Sequence, residues 1–177
     1  MMFLRNWIRA AIACAIVVCL AAPMLRAQTY TTVPTFAKTP EHWLQQIVNA
    51  DTTSTVTGVD CTVTTYGCGN LGTKITSIIA TSTDSASNTL ELSINNGTET
   101  SILASVNIPV FAGDSNNANT SNPPVNVLQL GNIPGLMLDS DGNPVLIITA
   151  SEKLLLNTAT NVTAAKAINV FIQGPVF

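Results

Sequence analysis

Few residues in this chain have the type and spacing for chemistry. His42 is the single histidine among 177 residues. General acid–base catalysis and zinc ligation lean on a histidine that a second group orients. Only Glu41 stands next to it with such a group, and Trp43 follows, so a surface or packing histidine is the better reading. Asp139-Ser140-Asp141-Gly142-Asn143 has the flavour of a calcium loop. Its spacing departs from the EF-hand, because Gly142 comes too early and no Glu closes the loop. A β-turn held by Asx hydrogen bonds accounts for Asp139, Asp141, Gly142 and Asn143 just as well. The sequence contains no G-x-S-x-G elbow, H-E-x-x-H pair or P-loop. Neither a catalytic set nor a metal or cofactor site is expected.

Cys61 and Cys68 bound the stretch CTVTTYGCG. In an exported protein two such cysteines most simply pair, closing two short arms around residues 64–67. One C-x6-C pair without a nearby histidine falls short of a four-ligand zinc site. If the chain stays in the cytoplasm, two unpaired buried thiols become the better reading.

The compartment is addressed by the N-terminus. Arg5 and Arg9 precede an apolar run from Ala10 to Leu20, followed by Pro23 and the small-residue end Leu25-Arg26-Ala27. This is the pattern of a secretory signal peptide over 1–27. The run is short for a spanning helix, although extension to Leu25 leaves an uncleaved anchor as the alternative. Cys14 and Cys19 fall inside it. Cleavage after Ala27 leaves four lysines and no arginine against ten acids, a net charge of −6. Binding to phosphate backbones needs clustered Lys and Arg, so nucleic acid is excluded as a partner, and an anionic membrane is disfavoured for the mature chain.

Composition then points to architecture. Charged residues are 10% and aromatics 5% of the chain, while Thr, Asn and Ser together fill 53 of 177 positions. Uncharged Thr/Asn/Ser mixed with aliphatics suits an all-β structural protein better than a helical bundle. Residues 28–40 read as an extended arm. Residues 41–50 read as a strand closed by a turn at 49–51, with a short helix capped by Thr39 as the alternative. Ile75, Ile78 and Ile79 mark a second apolar run. Leu90, Leu92 and Ile94 alternate with polar residues, and Asn95-Asn96-Gly97 signals a type I′ hairpin. On the return strand Ile102, Ala104, Val106 and Ile108 alternate until Pro109 stops it. Residues 112–124 are loop-like. Strands follow at Val125–Leu130, at Val145–Thr149, in SEKLLLN and in AKAINVFIQ, where Ala167, Asn169 and Phe171 oppose Ile168, Val170 and Ile172. Gly174-Pro175 breaks the last strand, which argues against an outer-membrane barrel, as does the lack of aromatic girdles. About eight strands at this spacing predict a single β-sandwich, jelly-roll-like, over residues 41–177. Three sequons, at Asn96, Asn119 and Asn161, are expected by chance in so Asn- and Thr-rich a chain.

Residues 41–177 resemble small virion proteins of tailed phages and prophages, of the head decoration (cement) type. The resemblance rests on the turn Thr81-Ser82-Thr83-Asp84, the polar hairpin at Asn96-Gly97, the small-residue loop, the segment Ile133-Pro134-Gly135-Leu136 and the turn from Asp139 to Pro144. It implies a non-enzymatic β-sandwich that binds protein partners, a capsid or like subunits, as a homo-oligomer. The Cys61–Cys68 segment and the signal peptide depart from that pattern. The competing expectation is an exported periplasmic or cell-surface module, fimbrial-like or adhesive. A small secreted enzyme is the weakest of the three readings.

Overall fold

The computed structural model describes residues 39–51, 55–63, 68, 71–115 and 122–177. The signal peptide, the arm up to residue 38, the cysteine-loop tip at 64–67 and the Asn119 sequon lie outside the described residues.

Among the described residues eleven strands form, more than the eight or so expected: β1 (Thr39–Val48), β2 (Val56–Asp60), β3 (Gly72–Ile75), β4 (Ser77–Ser82), β5 (Asn88–Asn95), β6 (Thr100–Ile108), β7 (Val125–Asn126), β8 (Met137–Leu138), β9 (Pro144–Thr149), β10 (Lys153–Thr158) and β11 (Ala167–Val176). They make two antiparallel sheets, a sandwich of seven strands against four. The smaller sheet runs β2-β10-β5-β6. In the larger one, β11 is the axis. Its residues 167–176 pair with β1 along one edge, while β4 and then β3 pair along the other. β3 and β4 thus act as one strand interrupted at Thr76, whose amide still bonds Gln173 O at 2.9 Å. β9 and β7 lie beyond them, and β8 pairs with β9.

Strict alternation on β11 and its neighbours builds the core. Ile168, Val170 and Ile172 face inward with Ile78, Ala80 and Ile47, all fully buried. From the other sheet Leu90, Leu92, Leu154 and Leu156 meet them, also fully buried. Apolar area removed from water in this layer is the main stabilising term of such a sandwich.

The structure corrects the sequence reading in several places. The first strand begins at Thr39, so Thr39 and Pro40 belong to the sheet rather than to the arm. The strand reading of 41–50 holds over its helical alternative, and Asn49–Asp51 is a 3-10 turn in which Asp51 accepts a bond from the Val48 amide at 2.9 Å. The β5–β6 connection is a four-residue loop, not a two-residue type I′ turn. Asn95 pairs with Thr100, and Gly97 alone of the loop takes a positive φ of 90°. Ile102 faces solvent at 66% exposure instead of joining Ala104, Val106 and Ile108 inside. Leu92 pairs with Ala104 but Ser93 with Ile102, so Leu103 is an extra residue, and a one-residue bulge inverts the faces beyond it. The expected strand Val125–Leu130 stops at Asn126. Val127 and Leu128 are both buried in succession, and the Gln129 amide curls back on Val127 O at 2.9 Å.

The last strand also continues through Gly174-Pro175. Gly174 approaches β3 so closely that an added Cβ would lie 2.9 Å from Ile75 Cα. Pro175 directs its carbonyl toward β3, where it accepts the Thr73 hydroxyl at 2.9 Å. A residue's N–H and C=O point to the same side of a strand, so the missing proline N–H takes nothing from the β1 ladder.

Candidate interaction surface

The parity that buries Ile168, Val170 and Ile172 turns the intervening residues of β11 outward. Leu44 pairs with Phe171, and Phe171 with Ile79, so three apolar side chains line up across β1, β11 and β4. Leu44 is 69% exposed, and Phe171 and Ile79 are half-buried. On one side of this row stand His42, Gln173 and Ser77; on the other stand Gln46, Asn169 and Thr81. Gln46 donates to Asn169 Oδ1 at 3.0 Å. The His42 ring lies 5.9 Å from that of Phe171. His42 is therefore an exposed residue packed beside an aromatic, as its sequence context suggested. Farther along the face, Ile147 (45% exposed) sits opposite Lys74.

Charge is nearly absent from this sheet. Among its strand residues only Glu41 and Lys74 are formally charged. Glu41 shares the parity of Trp43, which faces the core. Lys74 lies 3.7 Å from Asp139 Oδ2. The smaller sheet differs, since Glu91 projects from the middle of its outer side and Asp60 pairs with Lys153 at 2.8 Å. Burial alone would raise the Asp60 pKa. Hydrogen bonds from Lys153 and Thr62 more than offset it, and the carboxyl is held below its ordinary value.

The turn residues singled out in the sequence occupy two separate hairpins on different sheets. Asn96 and Gly97 cap β5–β6. Asn96 Oδ1 accepts the Thr98 and Glu99 amides at 3.0 and 2.8 Å, and Gly97 N donates to Asn95 Oδ1 at 2.8 Å. Asp139, Asp141, Gly142 and Asn143 connect β8 to β9. Asp139 Oδ1 accepts the amides of Asp141 (3.0 Å) and Asn143 (2.9 Å), and Gly142 takes φ 81°. This is the Asx turn expected from the sequence. The bond from the Asn143 amide is foremost in holding the Asp139 carboxyl below its ordinary value, against a smaller opposing effect of burial. The Asp139 carboxylate organises backbone, and Asp141 is exposed. Among the described residues, no three His, Cys, Asp or Glu side chains come together as metal ligands.

Cys61 and Cys68 form a disulfide, and both are buried against the hydrophobic core. The Cys61 amide donates to Glu152 O at 3.1 Å, fastening the segment after β2 to the β9–β10 turn.

Two features escaped the sequence reading. The apolar row needs strand pairing to be seen, because Leu44, Ile79 and Phe171 are distant in the chain. The second is Asp84, read only as part of a turn. It is fully buried. Its Oδ2 accepts Asn88 Nδ2 (3.0 Å) and the Thr163 amide (2.9 Å), and its Oδ1 accepts the Ala86 amide (3.0 Å). Desolvation would raise its pKa, but the hydrogen bonds from Thr163, Ala86 and Asn88 prevail and lower it to about 2. Asp84 thereby joins the β4–β5 turn to the loop before β11. The nearest signal in the sequence is the spacing Asp84-x-Ala86-x-Asn88, which suits an Asx turn.

Surface hollows among the described residues include one beside Trp43 and Asp60 and one beside Glu41 and His42. An open one of about 570 Å³ is lined by Gln46, Asn49, Thr83, Lys166 and Asn169, among others. Among the described residues on its wall, Lys166 is the only ionisable side chain. In comparisons with known proteins, the chain matches no family model, no curated protein and no solved structure. The fold and surface define a disulfide-bearing β-sandwich whose larger sheet exposes an almost uncharged face.

Proposed function

We propose that the protein is a non-enzymatic structural module, of the kind that decorates a particle or binds neighbouring subunits through a sheet face. The supporting observation is the outer face of the larger sheet, where the Leu44–Phe171–Ile79 row, exposed at Leu44 and half-buried at the other two, lies between two polar rows that hold no Asp, Glu, Lys or Arg. Uncharged polar groups lose less on leaving water than charges do, and amides and hydroxyls can find partners across a contact. The test is sedimentation of native material through a density gradient. The protein is expected to travel with large assemblies in constant ratio to their other chains. Recovery only in low-mass fractions refutes the proposal.

A second reading is favoured by the Cys61–Cys68 disulfide. Disulfides persist in oxidising compartments, so an exported periplasmic or cell-surface module accounts for it directly. Intact mass with and without reductant separates the two. A mass matching residues 28–177 with both cysteines oxidised supports export. A mass beginning at Met1 or Met24 with free thiols supports particle decoration in the cytoplasm.

A further inference from the structure

We propose that the outer face of the seven-stranded sheet is a homotypic interface, occupied by a second copy of this chain. Three observations lead there. The first is symmetry. The order across the face is polar row, apolar row, polar row, centred on Leu44, Phe171 and Ile79. A two-fold axis through the centre lays the apolar row on its own copy and each polar row on a polar row. This is the self-complementarity that an isologous contact requires. The flanking residues suit it chemically. Gln46, Asn169, Gln173, Ser77 and Thr81 each carry both a donor and an acceptor, so a row of them can satisfy its own copy. A row of carboxylates or ammoniums could not.

The second observation is charge. The chain carries a formal net charge of −3, so two copies repel in most orientations. This face holds no outward acid on its described strands, and Lys74 already lies beside Asp139. Approach through the smaller sheet would bring Glu91 toward Glu91. The uncharged sheet is the orientation in which like charge costs least.

The third is area. The strands that carry the three rows, β1, β11 and β4 with β7 beside them, hold 28 residues. At roughly 3.3 Å per residue and 4.8 Å between strands they span about 440 Å². Two copies would cover roughly 900 Å², the size of a weak, reversible dimer.

The inference rests on the reading of the chain as an assembly-forming module, and the two fail separately. Gradient sedimentation of native material tests the module. Sedimentation velocity of the isolated protein, as the cell processes it, tests the interface. Between about 1 and 100 µM the protein is expected to pass from monomer to dimer. Leu44→Lys, at an exposed position, sets a charge against its own copy and is expected to weaken dimerisation by at least ~30-fold. Gln46→Glu, a milder change on the same face, is expected to weaken it in the same direction. Ile102→Lys, exposed on the other sheet, is expected to leave the dimer intact. A protein that stays monomeric throughout, a dimer that survives both Leu44→Lys and Gln46→Glu, or one lost equally in Ile102→Lys overturns the proposal.

Discussion

Removing the Asp84 carboxylate is expected to cost more than any surface change in this protein. Asp84→Ala deletes three charge-assisted acceptances at once. The bond from Asn88 is wholly buried and is worth about 1.5–3 kcal/mol, as bonds to charged groups are. The amides of Ala86 and Thr163 are only part-buried and regain water in the variant, so each counts for about half as much. Together they give a loss of roughly 3–6 kcal/mol. Asp84→Asn keeps an oxygen for Asn88 and Thr163 but turns an NH₂ toward the Ala86 amide, and is expected to cost about 2 kcal/mol. The two variants also differ from the parent in acid. The folded carboxyl titrates at about 2 against an ordinary 3.8. A depressed pKa stabilises the fold fully above the ordinary value, and that contribution vanishes as pH falls through about 2. It amounts to about 2 kcal/mol. Asp60 and Asp139 are also held low, but they titrate alike in parent and variant, so the difference isolates Asp84. Urea denaturation at pH 7 and at steps from pH 5 to 2 measures both effects. An Asp84→Asn protein within about 0.5 kcal/mol of the parent at pH 7, with the same acid slope, would refute the reasoning.

Two further expectations concern the frame that presents the exposed face. Gly174→Ala drives a Cβ into Lys74 O and to 2.9 Å from Ile75 Cα, both backbone atoms. It is expected to separate β11 from β3 and to destabilise by about 3 kcal/mol or more, read as a lower urea midpoint. Breaking the Cys61–Cys68 bond by Cys68→Ser is expected to cost about 2–3 kcal/mol, because the closed loop is short. Equal midpoints with and without reductant in the parent would contradict that.

Alternation was the part of the fold most legible in the sequence. TLELSIN alternates apolar and polar residues, and AKAINVFIQ buries every second residue from Ile168 to Ile172, because one face of each strand is covered by the opposite sheet. Turn chemistry was legible too, as at Asp139 to Asn143, where a side-chain oxygen collects nearby amides. What stayed hidden depends on partners distant in the chain. The bulge at Leu103 carries no glycine signal, so Ile102 read as core. Gly174-Pro175 read as a strand break. Its role appears only once β3 is placed against Gly174 and Thr73 against the Pro175 carbonyl. Asp84 resembles any turn aspartate until Thr163, 79 residues away, closes over it. The exposed row is the strongest case. Leu44, Ile79 and Phe171 lie in three separate segments, and only the register of β1, β11 and β4 makes them neighbours.

Hydroxyl-radical footprinting shows whether this row is the contact surface in the assembled state. Leu44, His42 and Phe171 are oxidised in the free protein and in the assembled fraction, with exposed Ile102 as internal reference. Labelling of Leu44, His42 and Phe171 is expected to fall on assembly while that of Ile102 is unchanged. Protection of Ile102 with Leu44 still fully labelled would contradict it.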